Sequence, residues 1–187
     1  FIADEVQPGF ARTGQAFFGF ARHGIVPDMI TMGKPMGNGI PISGLAAKED
    51  VLAAFSDKLP YFNTFGGNPV SIAAAQAVLK YIKDENLQEH CKKAGAALLK
   101  ALKEVQERHP ESVGDVRGAG LFLGFEFVKN DGNKTPDKDM ALNVIEMLRD
   151  EHILTSVIGH YGNILKLRPP MVFSENDIDW FATSLDK

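Results

Sequence analysis

Only one cysteine, Cys91, occurs in 187 residues, and that scarcity alone removes two function classes. No internal disulfide can close, and a cysteine-rich zinc site has no ligands. A basic surplus is also missing: 20 Lys+Arg stand against 24 Asp+Glu, a formal net charge of −4. A protein that neutralises a phosphate backbone needs the opposite balance, so a nucleic-acid binder is not expected. No run approaches the roughly 20 apolar residues of a membrane span, and no charged-then-apolar stretch reads as a signal peptide. The five histidines show no metal-ligand spacing, so no metal is expected. A soluble chain of a compartment where disulfides are not needed is expected, first the cytoplasm and as the alternative an organelle matrix.

What remains is an ordinary globular balance, 44% hydrophobic and 24% charged, enough for one domain or two small ones. The first residue is Phe rather than Met, and Phe1–Ala3 reads as a strand already under way. Ser174 to Lys187 reads as a helix start with no stop signal after it. Both ends raise the expectation of a piece of a larger protein.

Brief apolar runs at Phe1–Ala3, Met29–Met32 and Ile42–Ala47 suit strands buried on both faces, as in a parallel sheet. Lys48–Phe55 reads as a short helix. Asn68-Pro69 opens the longest helical region, with Asn as cap and Pro in the first turn. Its apolar spacing runs on to Val105, with a break expected at Asp84-Glu85-Asn86 and an end at His109-Pro110. Beyond it, strands are expected at Leu121–Val128, Ile153–Val157 and Asn163–Leu167, a helix at Met140–Leu148, and a final helix capped by Ser174. The division expected is 1–67 as part of a large α/β domain, 68–108 as a connecting helical region, and 109–187 as a small α+β domain.

In an open α/β sheet, ligands sit outside the carboxyl ends of the strands. Asp4 falls there after the first run, and Lys34 falls at the matching place after the second. A lysine that forms a Schiff base must be neutral, which needs burial or a neighbouring positive charge. A carboxylate beside a protonated pyridine nitrogen holds that nitrogen charged and makes the ring a better electron sink. Position alone favours reading both residues as solvated charges at strand ends. Gly118–Gly124 has its last glycine misplaced for a dinucleotide fingerprint, and Gly33-Lys34 lacks the upstream glycine of a phosphate loop. Cys91 lies on the apolar face of its helix and reads as core.

The local words carry more information. Asp4-Glu5-Val6-Gln7-Pro8-Gly9-Phe10-Ala11-Arg12-Thr13-Gly14, then Pro27-Asp28, then Gly33-Lys34-Pro35-Met36-Gly37-Asn38-Gly39-Ile40-Pro41 stand in order. They are followed by Asn63-Thr64-Phe65-Gly66-Gly67-Asn68-Pro69, Val116–Leu121 and Leu167-Arg168-Pro169-Pro170. This series resembles the signature of the class III aminotransferases, fold-type I enzymes that use pyridoxal 5'-phosphate. Ala11 departs from it, since the family commonly has glycine between Phe and Arg, and the change reads as tolerable.

The resemblance implies the later part of a parallel-sheet cofactor domain plus a smaller C-terminal α+β domain. It makes Lys34 the Schiff-base lysine and proton carrier, and Asp4 the partner of the pyridine nitrogen. Val6 is similar to the apolar residue on one ring face, and Gln7 to the side chain reaching the phenolic oxygen. Thr64 resembles the threonine that crosses a dimer interface to the neighbour's cofactor phosphate, so a homodimer with a shared site is implied. Arg168 resembles the arginine that clamps a substrate carboxylate, a role suited to a guanidinium fork. The activity implied first is transamination between an amino donor and a keto acid. The alternative is a phospholyase, which eliminates phosphate from a phosphorylated amine or amino acid; Tyr61–Ser71 and Gly162–Met171 are similar to that branch and to alanine–glyoxylate-like members. Family members also have an N-terminal half with a phosphate-cradling loop and a stacked aromatic. Without that half, these 187 residues are expected to be a catalytically incomplete fragment.

Overall fold

The computed structural model describes residues 1–187, which form two compact units, Phe1–Gln88 and Glu89–Lys187.

The first unit holds three short strands, β1 (Ile2–Asp4), β2 (Met29–Met32) and β3 (Gly44–Ala47), in the order β1-β2-β3. β1 and β2 run parallel with Asp4 opposite Thr31, while β3 pairs antiparallel to β2. The apolar runs thus become strands, but only one of the two pairings is parallel. Nor are both faces covered: Ile2 is 57% and Leu45 54% exposed. Single turns of 3-10 helix occupy Gly19–His23 and Lys34–Gly37. Helix α1 spans Glu49–Ser56 and α2 spans Pro69–Asp84. Asn68 caps α2 by accepting from Val70 N and Ser71 N, and Pro69 takes the first turn, where a missing N–H costs nothing. Few side chains of this unit are fully buried. Phe10 packs against Phe17 with ring centroids 5.3 Å apart, and Phe17 meets Phe18 edge-on at 5.0 Å.

The break expected at Asp84–Asn86 is real. Asn86 adopts φ 48°, a left-handed conformation that Asn tolerates, and α3 (Leu87–Arg108) begins after it. In the second unit, β4 (Val113–Ala119), β5 (Phe122–Phe127), β6 (Ser156–Ile158) and β7 (Ile164–Leu167) form an antiparallel sheet in the order β4-β5-β7-β6. Helices α4 (Lys138–Asp150) and α5 (Glu175–Leu185) complete it. One core joins these elements. Cys91, Leu98, Leu102 and Val105 of α3 meet Leu123, Phe125 and Phe127 of β5, Leu165 and Leu167 of β7, Leu148 of α4, and Ile178 and Phe181 of α5. The alternation along β5 and the i, i+3/i+4 spacing along α3 are the two periods that produce this core.

Gly95 in α3 makes that packing possible. A Cβ built there would lie 2.3 Å from the backbone carbon of Gly120, in the β4–β5 turn. No helix of the chain is long and apolar enough to cross a membrane.

Candidate active site

The first unit brings Asp4 and Lys34 to one edge. Asp4 closes β1; β2 runs parallel beside it, and Lys34 follows β2 by two residues, opening a 3-10 turn. Both side chains are exposed, so Lys34 lacks the burial that the chemistry of a neutral amine asks for. Asp4 Oδ1 accepts from Val6 N at 3.1 Å, an Asx-type turn that fixes the carboxylate against its own backbone. Val6 is half-buried, and its methyl carbons stand 3.8 and 4.0 Å from the place a Cβ on Gly33 would take. An acid, an apolar side chain and an amine therefore follow one another along the strand ends. Gln7 is exposed in the next turn position.

Lys34 also opens onto a cavity of about 620 Å³ whose other walls include Ser43, Asn63, Gly67, Asn68 and Ser71. The start of α2 closes it, and Ser71 Oγ donates to Pro41 O at 3.1 Å. The loop before α2 is shaped by Asn63, whose Oδ1 accepts from Phe65 N and Gly66 N at 3.1 and 3.0 Å. Thr64 sits exposed in that loop beside Tyr61, Phe62 and Phe65, which are 73%, 85% and 83% exposed. Asp4, Val6, Gln7 and Thr64 lie outside the walls of this cavity.

The sequence pattern of the family described as "Aminotransferase class-III" matches residues 1–187. The chain belongs to the class-III aminotransferase family.

Relatives within the family carry more than one activity in their names. The chain is 44% identical over 189 residues to ethanolamine-phosphate phospho-lyase homolog 1 of Caenorhabditis elegans, covering 100% of this chain and 40% of that protein. It is 41% identical over 186 residues to the mitochondrial alanine–glyoxylate aminotransferase 2 homolog 2 of Arabidopsis thaliana, covering 100% of this chain and 38% of that protein. Among solved structures, a phospholyase from Arthrobacter in complex with phosphoethanolamine matches with a TM-score of 0.95 at 40% identity, over 99% of this chain and 44% of that one. The chain spans about two fifths of the length of the curated relatives it matches.

In the second unit, Arg168 follows β7 and is held from three sides. Its Nη1 donates to Leu123 O at 2.7 Å and to Leu167 O at 3.0 Å, and its guanidinium carbon stands 3.6 Å from the Phe122 ring centroid. It borders a cavity of about 460 Å³ together with His152, Lys166, Phe173, Asp177 and Trp180. The segment after it is fastened to α3, where His90 Nε2 donates to Phe173 O at 3.1 Å.

Two residues went unread in the sequence. Glu5 is 2% exposed, and its carboxylate accepts from Gly19 N at 2.7 Å and Phe20 N at 2.8 Å. Its signal was a second acid beside Asp4 at the end of an apolar strand. Phe122 gives Arg168 its platform; alternation along β5 sets it on the face opposite Leu123, Phe125 and Phe127.

Proposed function

We propose that this chain carries the lysine-bearing part of a pyridoxal 5'-phosphate site, and that the full-length protein eliminates phosphate from a phosphorylated amine. The observation that carries the cofactor reading is the shared edge of β1 and β2, where Asp4, Val6 and Lys34 stand in sequence. Those residues fit the group: an acid for a basic ring nitrogen, an apolar side chain for a ring face, and an amine for an aldehyde. Family membership over all 187 residues supports the same assignment.

Each residue then has a task. Lys34 attaches the cofactor and takes the proton from the amine-bearing carbon of the substrate. Asp4, oriented by Val6 N–H, holds a proton on the ring nitrogen, and Gln7 is assigned to the phenolic oxygen. When bound, pyridoxal phosphate supplies the electron sink for the pair left behind by that proton. The C–O bond on the neighbouring carbon breaks and its electron pair leaves with inorganic phosphate; one water then hydrolyses the enamine that remains, giving ammonia and an aldehyde. Thr64 is assigned to the phosphate of a cofactor in a second copy, making the protein a homodimer with shared sites. The exposed Tyr61, Phe62 and Phe65 beside it support a covered surface there.

Elimination is put before transamination in this proposal on the support of relatives named phospho-lyases, at 44% identity and at a TM-score of 0.95. Transamination is the second reading, favoured by Arg168 as a carboxylate fork and by the Arabidopsis relative. Full-length protein supplied with phosphoethanolamine alone separates them. Equal release of phosphate and aldehyde without any keto acid supports elimination. Turnover that requires a keto acid and releases no phosphate supports transamination instead.

A further inference from the structure

Glu5 is a carboxylate with 2% of its surface exposed, next to the exposed Asp4 and just past the end of β1. Removing a charge from water is costly unless donors replace the water. Here each oxygen has one donor: Oε2 accepts from Gly19 N at 2.7 Å and Oε1 from Phe20 N at 2.8 Å. The main chain of the same residue is tied at both ends. Glu5 N donates to Thr31 O at 2.9 Å, and Glu5 O accepts from Gly9 N at 3.2 Å.

The surroundings are shaped to this carboxylate. A Cβ on Gly9 would stand 2.6 Å from Glu5 O, and one on Gly19 would stand 2.7 Å from Pro8 Cβ. Between those glycines, Phe10 and Ala11 are buried at φ 58° and 65°, a conformation costly for residues with a Cβ. An apolar side chain at position 5 would avoid the desolvation, yet it would leave two N–H groups unpaired and the strand end free of the loop. Glutamine would not serve either. An amide offers one acceptor and one donor, so its NH₂ would confront a backbone N–H.

We infer that Glu5 is the positioning residue of the site: by tying the end of β1 to β2 and to the Gly19–Phe20 turn, it fixes the backbone that aims Asp4 and Val6. The link to Asp4 is short. Asp4 Oδ1 takes its direction from Val6 N–H, and the peptide on which that N–H sits belongs to Glu5 and Val6. If the Glu5 backbone shifts, the carboxylate and the apolar side chain shift together. Lys34 is spared, because it follows β2 and not β1. This inference rests on the cofactor reading above.

The test uses the full-length, cofactor-loaded enzyme with Glu5→Gln and the milder Gly19→Ala, which displaces a donor without removing the charge. Borohydride trapping on Lys34 in the unsubstituted protein tests the cofactor reading by itself; failure there removes that reading whatever Glu5 does. With trapping established, Glu5→Gln is expected to lower kcat roughly 10- to 100-fold, the scale of a small misplacement at a reacting centre. KM for the amine should stay within about twofold, since an aim needed only in the transition state lowers kcat and kcat/KM together. Gly19→Ala is expected to lower kcat several-fold with the same split. Gly95→Ala, in the other unit, controls for lost stability and should leave kcat and KM per loaded site unchanged. Wild-type kcat per loaded site in both Glu5→Gln and Gly19→Ala overturns the inference, as does a rise in KM at constant kcat.

Discussion

The guanidinium of Arg168 lies over the ring of Phe122, 3.6 Å from its centroid, while Nη1 donates to the carbonyl of the next residue, Leu123, at 2.7 Å. One β-strand thus presents a π face and a main-chain acceptor to the same side chain. The arginine leaves the end of β7 with little freedom to swing. Such a contact contributes about 0.5–2 kcal/mol, depending on solvent access. On the transamination reading, in which Arg168 clamps a carboxylate, Phe122→Ala is expected to raise KM for a carboxylate-bearing amino substrate roughly 3- to 10-fold, in line with that energy. A substrate amine without a carboxylate should be affected far less. Steady-state kinetics on the two substrate types in the full-length enzyme provide the check, and equal effects on both would remove Arg168 from carboxylate recognition.

Gly95 reverses the usual sign of a helix substitution. Propensity alone makes Gly→Ala inside a helix stabilising by about 1 kcal/mol. Here the new methyl would stand 2.3 Å from the backbone of Gly120, a contact that only movement of α3 or of the β4–β5 turn relieves. Overpacking of this kind costs about 1–3 kcal/mol. Denaturant unfolding of Gly95→Ala should give a lower midpoint, and a higher one would contradict the close approach.

Ala11 tests the opposite balance. Its φ of 65° penalises a side chain by about 1–2 kcal/mol. Glycine would relieve that, but it would lose a buried methyl worth about 0.8 kcal/mol and add about 0.5–1 kcal/mol of chain entropy. Ala11→Gly is expected near neutral, within about 1 kcal/mol, while the β-branched Ala11→Val should destabilise by more than about 2 kcal/mol. Thermal unfolding of both variants decides it.

Acid sensitivity at α5 follows from its capping box. Asp177 is held below its ordinary 3.8 chiefly by Ser174 N–H, which donates to Oδ2 at 2.8 Å, and then by the Ser174 hydroxyl at 2.7 Å. A carboxyl whose folded pKa is depressed stabilises the fold above its unfolded pKa and loses that contribution as pH falls through the folded value. The loss should therefore begin near 3.8 and grow below it. Asp177→Asn should flatten that part of the stability–pH curve measured by denaturant unfolding, leaving neutral pH the reference.

Much of the fold could be read from periodicity, and the exceptions have physical causes. The cap at Asn68, the break at Asn86 and the alternation of β5 all follow local rules that tertiary packing does not override. β4 escaped because a register shift between Val113 and Asp115 and the positive φ of Gly118 destroy the period of two, leaving Val113, Val116 and Ala119 as the buried positions. The strands of the first unit were read as covered on both faces from their apolar composition, whereas Ile2 and Leu45 are exposed. Composition records what a strand meets in the whole protein, and this chain spans about two fifths of its relatives.

For the site, motif words named Lys34 and Asp4, and strand pairing set them on one edge. Glu5 was passed over because an acid in a sequence carries no sign of burial. Its role depends on Gly19 and Phe20, contacts formed by a loop whose path no periodicity encodes.

The most direct measurement is a peptide map of the full-length protein after addition of pyridoxal phosphate and reduction with borohydride. A phosphopyridoxyl group on Lys34 alone is the expected result. An adduct on another lysine, or no specific adduct, would contradict the assignment of this edge as the cofactor site.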